Sequence, residues 1–162
     1  MIGPENPSSD AVVSLREVTA ETVRSICKLS DTLSDAQKHM VAPNAVSIAE
    51  AHFSEHAWFR AIYADDTPVG FVMLYIGPDD EGSPDEVHFL WRYMIDARYQ
   101  KLGFGKRALD LLIEHVRSRP NAHELSLSCH PGGDGPEPFY RQYGFSRTGE
   151  FMGGEAVMRM DI

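Results

Sequence analysis

Residues 98–116 read RYQKLGFGKRALDLLIEHV, and how the chain is built turns on what happens before the helix begins. Phe104 lies between Gly103 and Gly105, with Lys106 and Arg107 directly after. From Ala108 onward the stretch is an amphipathic helix, with Leu109, Leu112, Ile113 and Val116 spaced i, i+3, i+4, i+7 along one stripe. Glycines just ahead of a helix point to an anion held on free backbone N–H groups, which the helix dipole favours. Several devices share that feature, so the surrounding sequence has to choose among them.

Gly103-x-Gly105-x-x-Ala108 formally fits a dinucleotide fingerprint, with Glu124 downstream as the ribose-binding acid. The context does not fit. That turn places its first glycine directly after a strand, whereas ARYQK intervenes here. Glu124 opens a strand where the ribose-binding acid should close one, and too little chain follows for the remaining units. A phosphate loop of the GxxxxGK[ST] type is absent from the sequence.

The chain has 162 residues, enough for one domain around a single core. The opening MIGPENPSSD lacks a basic stretch followed by an apolar one, so no secretion signal is expected, and residues 1–10 read as a flexible lead-in to a single domain at 11–162. No apolar run approaches the roughly 20 residues that span a bilayer. The two cysteines, Cys27 and Cys129, lack metal-ligand spacing, and a reduced, cytoplasmic protein with no metal is the expectation. A formal net charge of −9 argues against nucleic acid and suits a small cationic partner, although many acidic proteins carry such charge only for solubility.

VVSLREV alternates as a strand; TAETVRSICKLS follows as a helix capped by Thr19, and SIAEAHFSEH as one capped by Ser47. WFRAIYADDTPVGFVMLYIG reads as a hairpin turning through Asp65, Asp66, Thr67 and Pro68. PDDEGSPDE is a loop, VHFLWRYMID a buried central strand, and HELSLSCH another strand. GPEPFYRQYGF is a short helix ended by Gly144, and the tail is a hairpin turning at Gly153 and Gly154. Strands interleaved with helices in this way make a mixed α/β sheet.

The longer string Gln100-x-x-Gly103-x-Gly105 resembles motif A, Q/R-x-x-G-x-G/A, of the GNAT superfamily of acetyl-CoA-dependent N-acetyltransferases. PFYRQYGF resembles that family's later aromatic-Tyr-x-x-x-Gly-Phe motif, and the order of elements matches across nearly the whole chain. The resemblance implies a mostly antiparallel central sheet of about seven strands, flanked by about four helices. It also implies an acetyl-CoA site. There Gln100, Lys101, Leu102, Gly103, Phe104, Gly105 and Lys106 surround the pyrophosphate through their N–H groups, with Lys101, Lys106 and Arg107 in reach of the phosphates. Backbone groups of Met94 and Ile95 would hold the pantetheine arm like an added strand. One departure stands out: where many members carry an asparagine seven residues before the tyrosine, this chain has Gly133, so that contact does not carry over.

Acetyl transfer by direct attack in a ternary complex requires a neutral amine and a protonated leaving thiolate. Freeing a primary amine at neutral pH costs about 4 kcal/mol. The resemblance implies that Tyr140 protonates the thiolate, with Tyr143 as the neighbour most easily confused with it. No motif fixes a base: Glu50, Glu55, Glu86, His52 and His88 are candidates, and a water relay is an equal one. VAPNAVSIAEAHF, residues 41–53, resembles bacterial diamine and spermine/spermidine acetyltransferases. Such a substrate would suit an acidic cleft lined by Glu50, Glu55, Asp79, Asp80 and Glu81. Another small amine, an antibiotic or a peptide amine stays open, as does a non-catalytic acyl-CoA sensor. A homodimer is common among relatives and unspecified here. HFSEH matches the inverted zinc-peptidase signature H-x-x-E-H, but such enzymes need a third ligand and a larger domain.

Overall fold

A computed structural model describes residues 5–162. Strand β1 (Val13–Arg16) begins a seven-stranded sheet with β2 (Ala57–Ala64), β3 (Thr67–Pro78), β4 (Glu86–Ile95), β5 (Glu124–Cys129), β6 (Ser146–Met152) and β7 (Glu155–Asp161). Their order is β1-β2-β3-β4-β5-β7-β6, and each neighbouring pair is antiparallel except β4 with β5. Among the described residues five helices flank it: α1 (Val23–Leu29), α2 (Asp35–Lys38), α3 (Asn44–His52), α4 (Phe104–Arg117) and α5 (Glu137–Tyr143).

Period-two alternation divides the core between the two faces of the sheet. From β3, Val72, Leu74 and Ile76 join Leu109, Leu112, Ile113 and Val116 of α4 on one face. Phe71 and Met73 point the other way, onto Ile26 and Leu29 of α1 and Ile48 and Ala51 of α3. The stripe of α4 is therefore the expected one, buried along its length.

Several local expectations are corrected. Helix α1 starts at Val23 rather than after Thr19; Thr22 is the cap residue, and its hydroxyl accepts the Thr19 N–H. Helix α3 starts at Asn44, because Pro43 ends the extended segment before it and Asn44 Nδ2 donates to the Ile26 carbonyl, 2.8 Å away. Ser47 is a fully buried residue inside that helix, donating to the Pro43 carbonyl. The β2–β3 turn is only Asp65 and Asp66, with Asp65 at φ 51°, and Thr67 and Pro68 already belong to β3. Pro68 is tolerated there because the pairing shifts between Ile62 and Tyr63 beside it. Helix α2, a single turn, closes on a capping box between Ser34 and Gln37. The H-x-x-E-H residues do not share a helix: α3 ends at His52, with Glu55 and His56 in the turn beyond.

Of the lead-in at 1–10, residues 1–4 lie outside the described residues. The Ala11 N–H donates to Ser8 O, and the Arg107 guanidinium donates to the carbonyls of Ser9 and Ala11 at 2.7 and 2.8 Å. This segment is thereby tied to the first turn of α4. No described helix is long and apolar enough to cross a membrane.

The β3–β4 register shows where the sheet changes. Met73 pairs with Arg92 but Leu74 with Leu90, so Trp91 is an extra residue in β4. Strands β4 and β5 pair at only two positions, Phe89 with Ser126 and Leu90 with Leu127, and separate beyond them. The free end of β4 is set by Gly70, which pairs with Ile95; a Cβ at Gly70 would stand 2.4 Å from the Met94 carbonyl oxygen. Gly70→Ala should therefore lower unfolding stability by about 1–3 kcal/mol through overpacking, read as a shift in urea midpoint at unchanged slope.

Candidate active site

Separation of β4 from β5 opens a cleft of about 1200 Å³. One wall is β4 from Phe89 to Ile95; the other carries Ser128 and Cys129 of β5 with Phe139 and Tyr140 of α5. Gln37 to Ala42, in and after α2, close it on a third side. Beyond the bulge, β4 has lost its strand partner on the β5 side, so the backbone groups of alternate residues that turn that way face the cleft without a strand to pair with.

The segment that intervenes between strand and glycines in the sequence is a 3₁₀ turn, Ala97–Tyr99. Fully buried Asp96 accepts the Arg98 N–H at 2.8 Å and the Arg98 guanidinium, while the Ala97 N–H donates to Thr32 Oγ1. Against the burial penalty, the bonds from the Arg98 side chain and N–H, with the Thr32 hydroxyl, hold the Asp96 carboxyl below its ordinary range. Gln100 then donates to the Ile95 carbonyl at 2.9 Å and accepts from Gln37 Nε2 at 3.1 Å. Its side chain braces the end of β4 against α2. Gly103, at φ 84°, caps α4 in a conformation that a side chain would strain. The first intrahelical bond runs from the Arg107 N–H to Gly103 O, leaving the N–H groups ahead of it free at the cleft mouth.

Met94, Ile95, Gln100, Lys101, Gly103, Gly105 and Lys106 all line the cleft. Leu102 and Phe104 do not: their side chains pack into the α4 core, so only their backbone faces the turn. Lys106 is also paired with Asp110 at 3.1 Å. Arg107 is turned away, onto the Leu102, Ser9 and Ala11 carbonyls.

Three tyrosines gather around α5, and two have committed hydroxyls. Tyr93 donates to the Gly105 carbonyl, and Tyr143 donates to Asp110. Tyr140 lines the cleft, is buried between Phe139 and Phe145, and makes no side-chain hydrogen bond among the described residues. Burial, then the neighbouring Cys129 and Glu155, push its phenol well above the ordinary value, so it stays protonated. The Cys129 thiol donates to Met158 Sδ at 3.7 Å, and burial with the charges of Glu137 and Glu155 pushes it up to about 11. At neutral pH it is a thiol rather than a nucleophilic thiolate.

Tyr140 is positioned from below by Glu137, one turn earlier. Its buried carboxylate accepts from Arg147 Nε and one terminal nitrogen at 2.8 Å each, from Gly132 N at 3.0 Å and from Arg141 Nε at 2.8 Å. One side chain thus fastens the glycine-rich loop 130–136, helix α5 and strand β6 together.

The acids anticipated for substrate lie elsewhere. None of Glu50, Glu55, Asp79 or Glu81 lines the cleft. Glu50 is bound to Arg92 at 3.1 Å, Glu55 stands exposed beside His56, and Asp79 and Glu81 are on the β3–β4 loop. Two other carboxylates do line it, Asp134 and Glu155, together with Arg92 and the α2 segment. The Ser34-x-x-Gln37 capping box is a readable signal for α2; nothing local marks Asp134 or Glu155.

A family model described as the Acetyltransferase (GNAT) family matches residues 24–145. The chain belongs to the GNAT family. It is similar to the spermine/spermidine N(1)-acetyltransferase of Bacillus subtilis strain 168, 28% identical over 152 residues that cover 93% of this chain and 99% of that protein. An acetyltransferase from Thermus thermophilus shares the fold with a TM-score of 0.73 at 12% identity, covering 93% of this chain and 97% of that one. The PaiA N-acetyltransferase of Thermoplasma acidophilum, solved in complex with coenzyme A, shares it with a TM-score of 0.63 at 17% identity, over 93% and 99% of the two chains. As a GNAT N-acetyltransferase the protein transfers an acetyl group to an amine, and the family draws that group from acetyl-CoA.

The Glu137 contacts give this GNAT domain a pH signature. The Arg147 hydrogen bonds first, then the Gly132 N–H, hold the carboxyl down to about 2 from an ordinary 4.5. Their stabilisation is fully present above about pH 4.5 and is lost as pH falls toward 2. Glu137→Gln should lower the melting temperature at pH 7, with the gap to the parent closing across that acid range in thermal unfolding.

Proposed function

We propose that the chain acetylates a polyamine, with Tyr140 as the acid that protonates the leaving thiolate. What carries the substrate class is the pair of carboxylates, Asp134 and Glu155, that line the same cleft as the free Tyr140 hydroxyl. Neither has a salt-bridge or side-chain hydrogen-bond partner among the described residues, so both are available to ammonium groups. The likeness to the Bacillus subtilis spermine/spermidine enzyme supports the same reading.

Acetyl-CoA, the co-substrate, supplies an activated acyl carbon on a thioester. The cleft suits it. The side of β4 that lacks a strand partner beyond Leu90 matches the amides of a pantetheine arm, at the Ile95 N–H rather than at Met94. The Met94 carbonyl faces Gly70 of β3, and Gln100 holds the Ile95 carbonyl. The free N–H groups at the start of α4 match a pyrophosphate. Lys101 and Lys106 stand at that end as countercharges. Direct attack by the amine is favoured over an acyl-cysteine route, because the cleft's thiol, Cys129, is held protonated and bonded to Met158.

Tyr140 donates from a phenol that burial keeps neutral, on the cleft wall opposite β4. Tyr143 and Tyr93 cannot serve without giving up Asp110 and Gly105. Thiol release from acetyl-CoA should be followed with spermine, spermidine, putrescine, lysine and a peptide N-terminus. Turnover should concentrate on the polyamines. Tyr140→Phe should lower kcat about 100-fold or more with acetyl-CoA affinity unchanged by calorimetry; Tyr143→Phe should not reproduce that split. Turnover confined to lysine or the peptide would overturn the polyamine assignment.

A further inference from the structure

We propose that Glu155 takes the proton from the attacking amine. The inference rests on amine acetylation being the reaction, and not on the amine being a polyamine.

Glu155 opens β7 directly after the Gly153-Gly154 turn and pairs across it with Met152. The next residue, Ala156, pairs with Cys129 at the end of β5. The order β5-β7-β6 therefore brings the chain's last hairpin to the wall that carries Tyr140. Glu155 is half-buried there, whereas Asp134 stands exposed at the rim. The influence of its charge on both Tyr140 and Cys129 is consistent with that location.

Glu155 is also free, as Asp134 is, where other carboxylates of the domain are not. Glu50 is held by Arg92, Asp110 by Tyr143 and Lys106, and Glu137 by two arginines and a backbone N–H. Glu155 has no such partner among the described residues. Once the cleft is filled and its water displaced, desolvation disfavours the charged forms of both the carboxylate and the ammonium against their mutual attraction, and one proton transfer leaves two neutral groups.

The protons then balance. The substrate ammonium gives one to the Glu155 carboxylate, and the freed lone pair attacks the acetyl carbonyl carbon. The C–N bond forms, the C–S bond breaks, and the departing sulfur takes the Tyr140 proton. The second proton on the acetylated nitrogen restores the phenol through solvent. Glu155 returns its own to water, so one proton is released per turnover. Other titratable or charged groups line the same cleft: Cys129 on β5, Tyr140 on α5, Asp134 in the loop, Arg92 and Tyr93 on β4, Tyr99 in the 3₁₀ turn, Lys101 and Lys106 at the glycine turn, and Lys38 and His39 on α2 and its cap. Of these, His39 is the rival proton acceptor, because its imidazole carries a ring nitrogen that can take up a proton.

The test uses whichever amine of the panel turns over fastest, so it stands or falls apart from the polyamine assignment. Glu155→Gln should lower kcat by about 10²–10⁴-fold and remove the acidic limb of the pH–rate profile. Acetyl-CoA affinity should be unchanged by calorimetry, and Glu155→Asp should regain part of the rate. With a second amine of low pKa, already neutral at the assay pH, the loss should shrink, which a merely structural role would not produce. Equal losses with both amines would overturn the proposal. So would an unchanged rate, or an acidic limb that survives in Glu155→Gln and vanishes in His39→Asn.

Discussion

The single parallel pair in the sheet, β4 with β5, shares only two register positions, and the cleft exists because it shares no more. A parallel pair needs a crossover, and here the crossover is α4. The extra residue Trp91 adds a bulge on the β3 side of β4 just where pairing with β5 ends, and a bulge bends and twists its strand. Once the strands diverge, three consequences follow from connectivity alone. That edge of β4 lacks a strand partner, the N-terminus of α4 lies at the cleft's mouth, and α5, following β5, brings Tyr140 to the opposite wall. Gly70 and Gln100 then hold the end of β4 in place, one by letting β3 approach, the other by bonding the Ile95 carbonyl.

The features legible in the sequence are those whose cause is local. The α4 stripe follows from helical period, and Gly103 from a backbone angle that side chains avoid. Tyr140 is reached through a motif within one short helix. Pro68 reads as a turn residue, yet its place in β3 depends on a register shift across β2. Ser47 reads as a cap, but Pro43 and the Asn44 bond to Ile26 start α3 earlier. Gln100 reads as a ligand residue, and its side chain is a brace between β4 and α2.

Asp134 and Glu155 escape a reading of the sequence for different reasons. Asp134 precedes Tyr140 by six residues in a glycine-rich loop with no motif to mark it, whereas the relation of Glu155 to Tyr140 depends on β7 inserting between β5 and β6, a non-local pairing that no window of sequence encodes. The acids that the sequence suggests instead lie in acidic-looking stretches, yet charge along the chain does not report which face a residue occupies. Glu50 illustrates this: it stands one side chain away from the cleft, and Arg92 takes up its charge.

The cleft is polarised rather than uniformly acidic. Lys101 and Lys106 stand at the glycine turn, while Asp134 and Glu155 stand beyond β5. A formal net charge of −9 alone would repel a polyanionic co-substrate as strongly as it draws a cation, so the local cations at the turn must offset that field where phosphates would bind. On the proposed reading, the two ends select by sign. Phosphates settle at the start of α4, ammonium groups at the carboxylates, and the acetyl carbon lies between them beside Tyr140. On that reading the separation also explains why one neutral, desolvated phenol would suffice as the acid. A charged donor there would be drawn toward one end of the cleft or paired by it, whereas Tyr140 carries its proton without disturbing either.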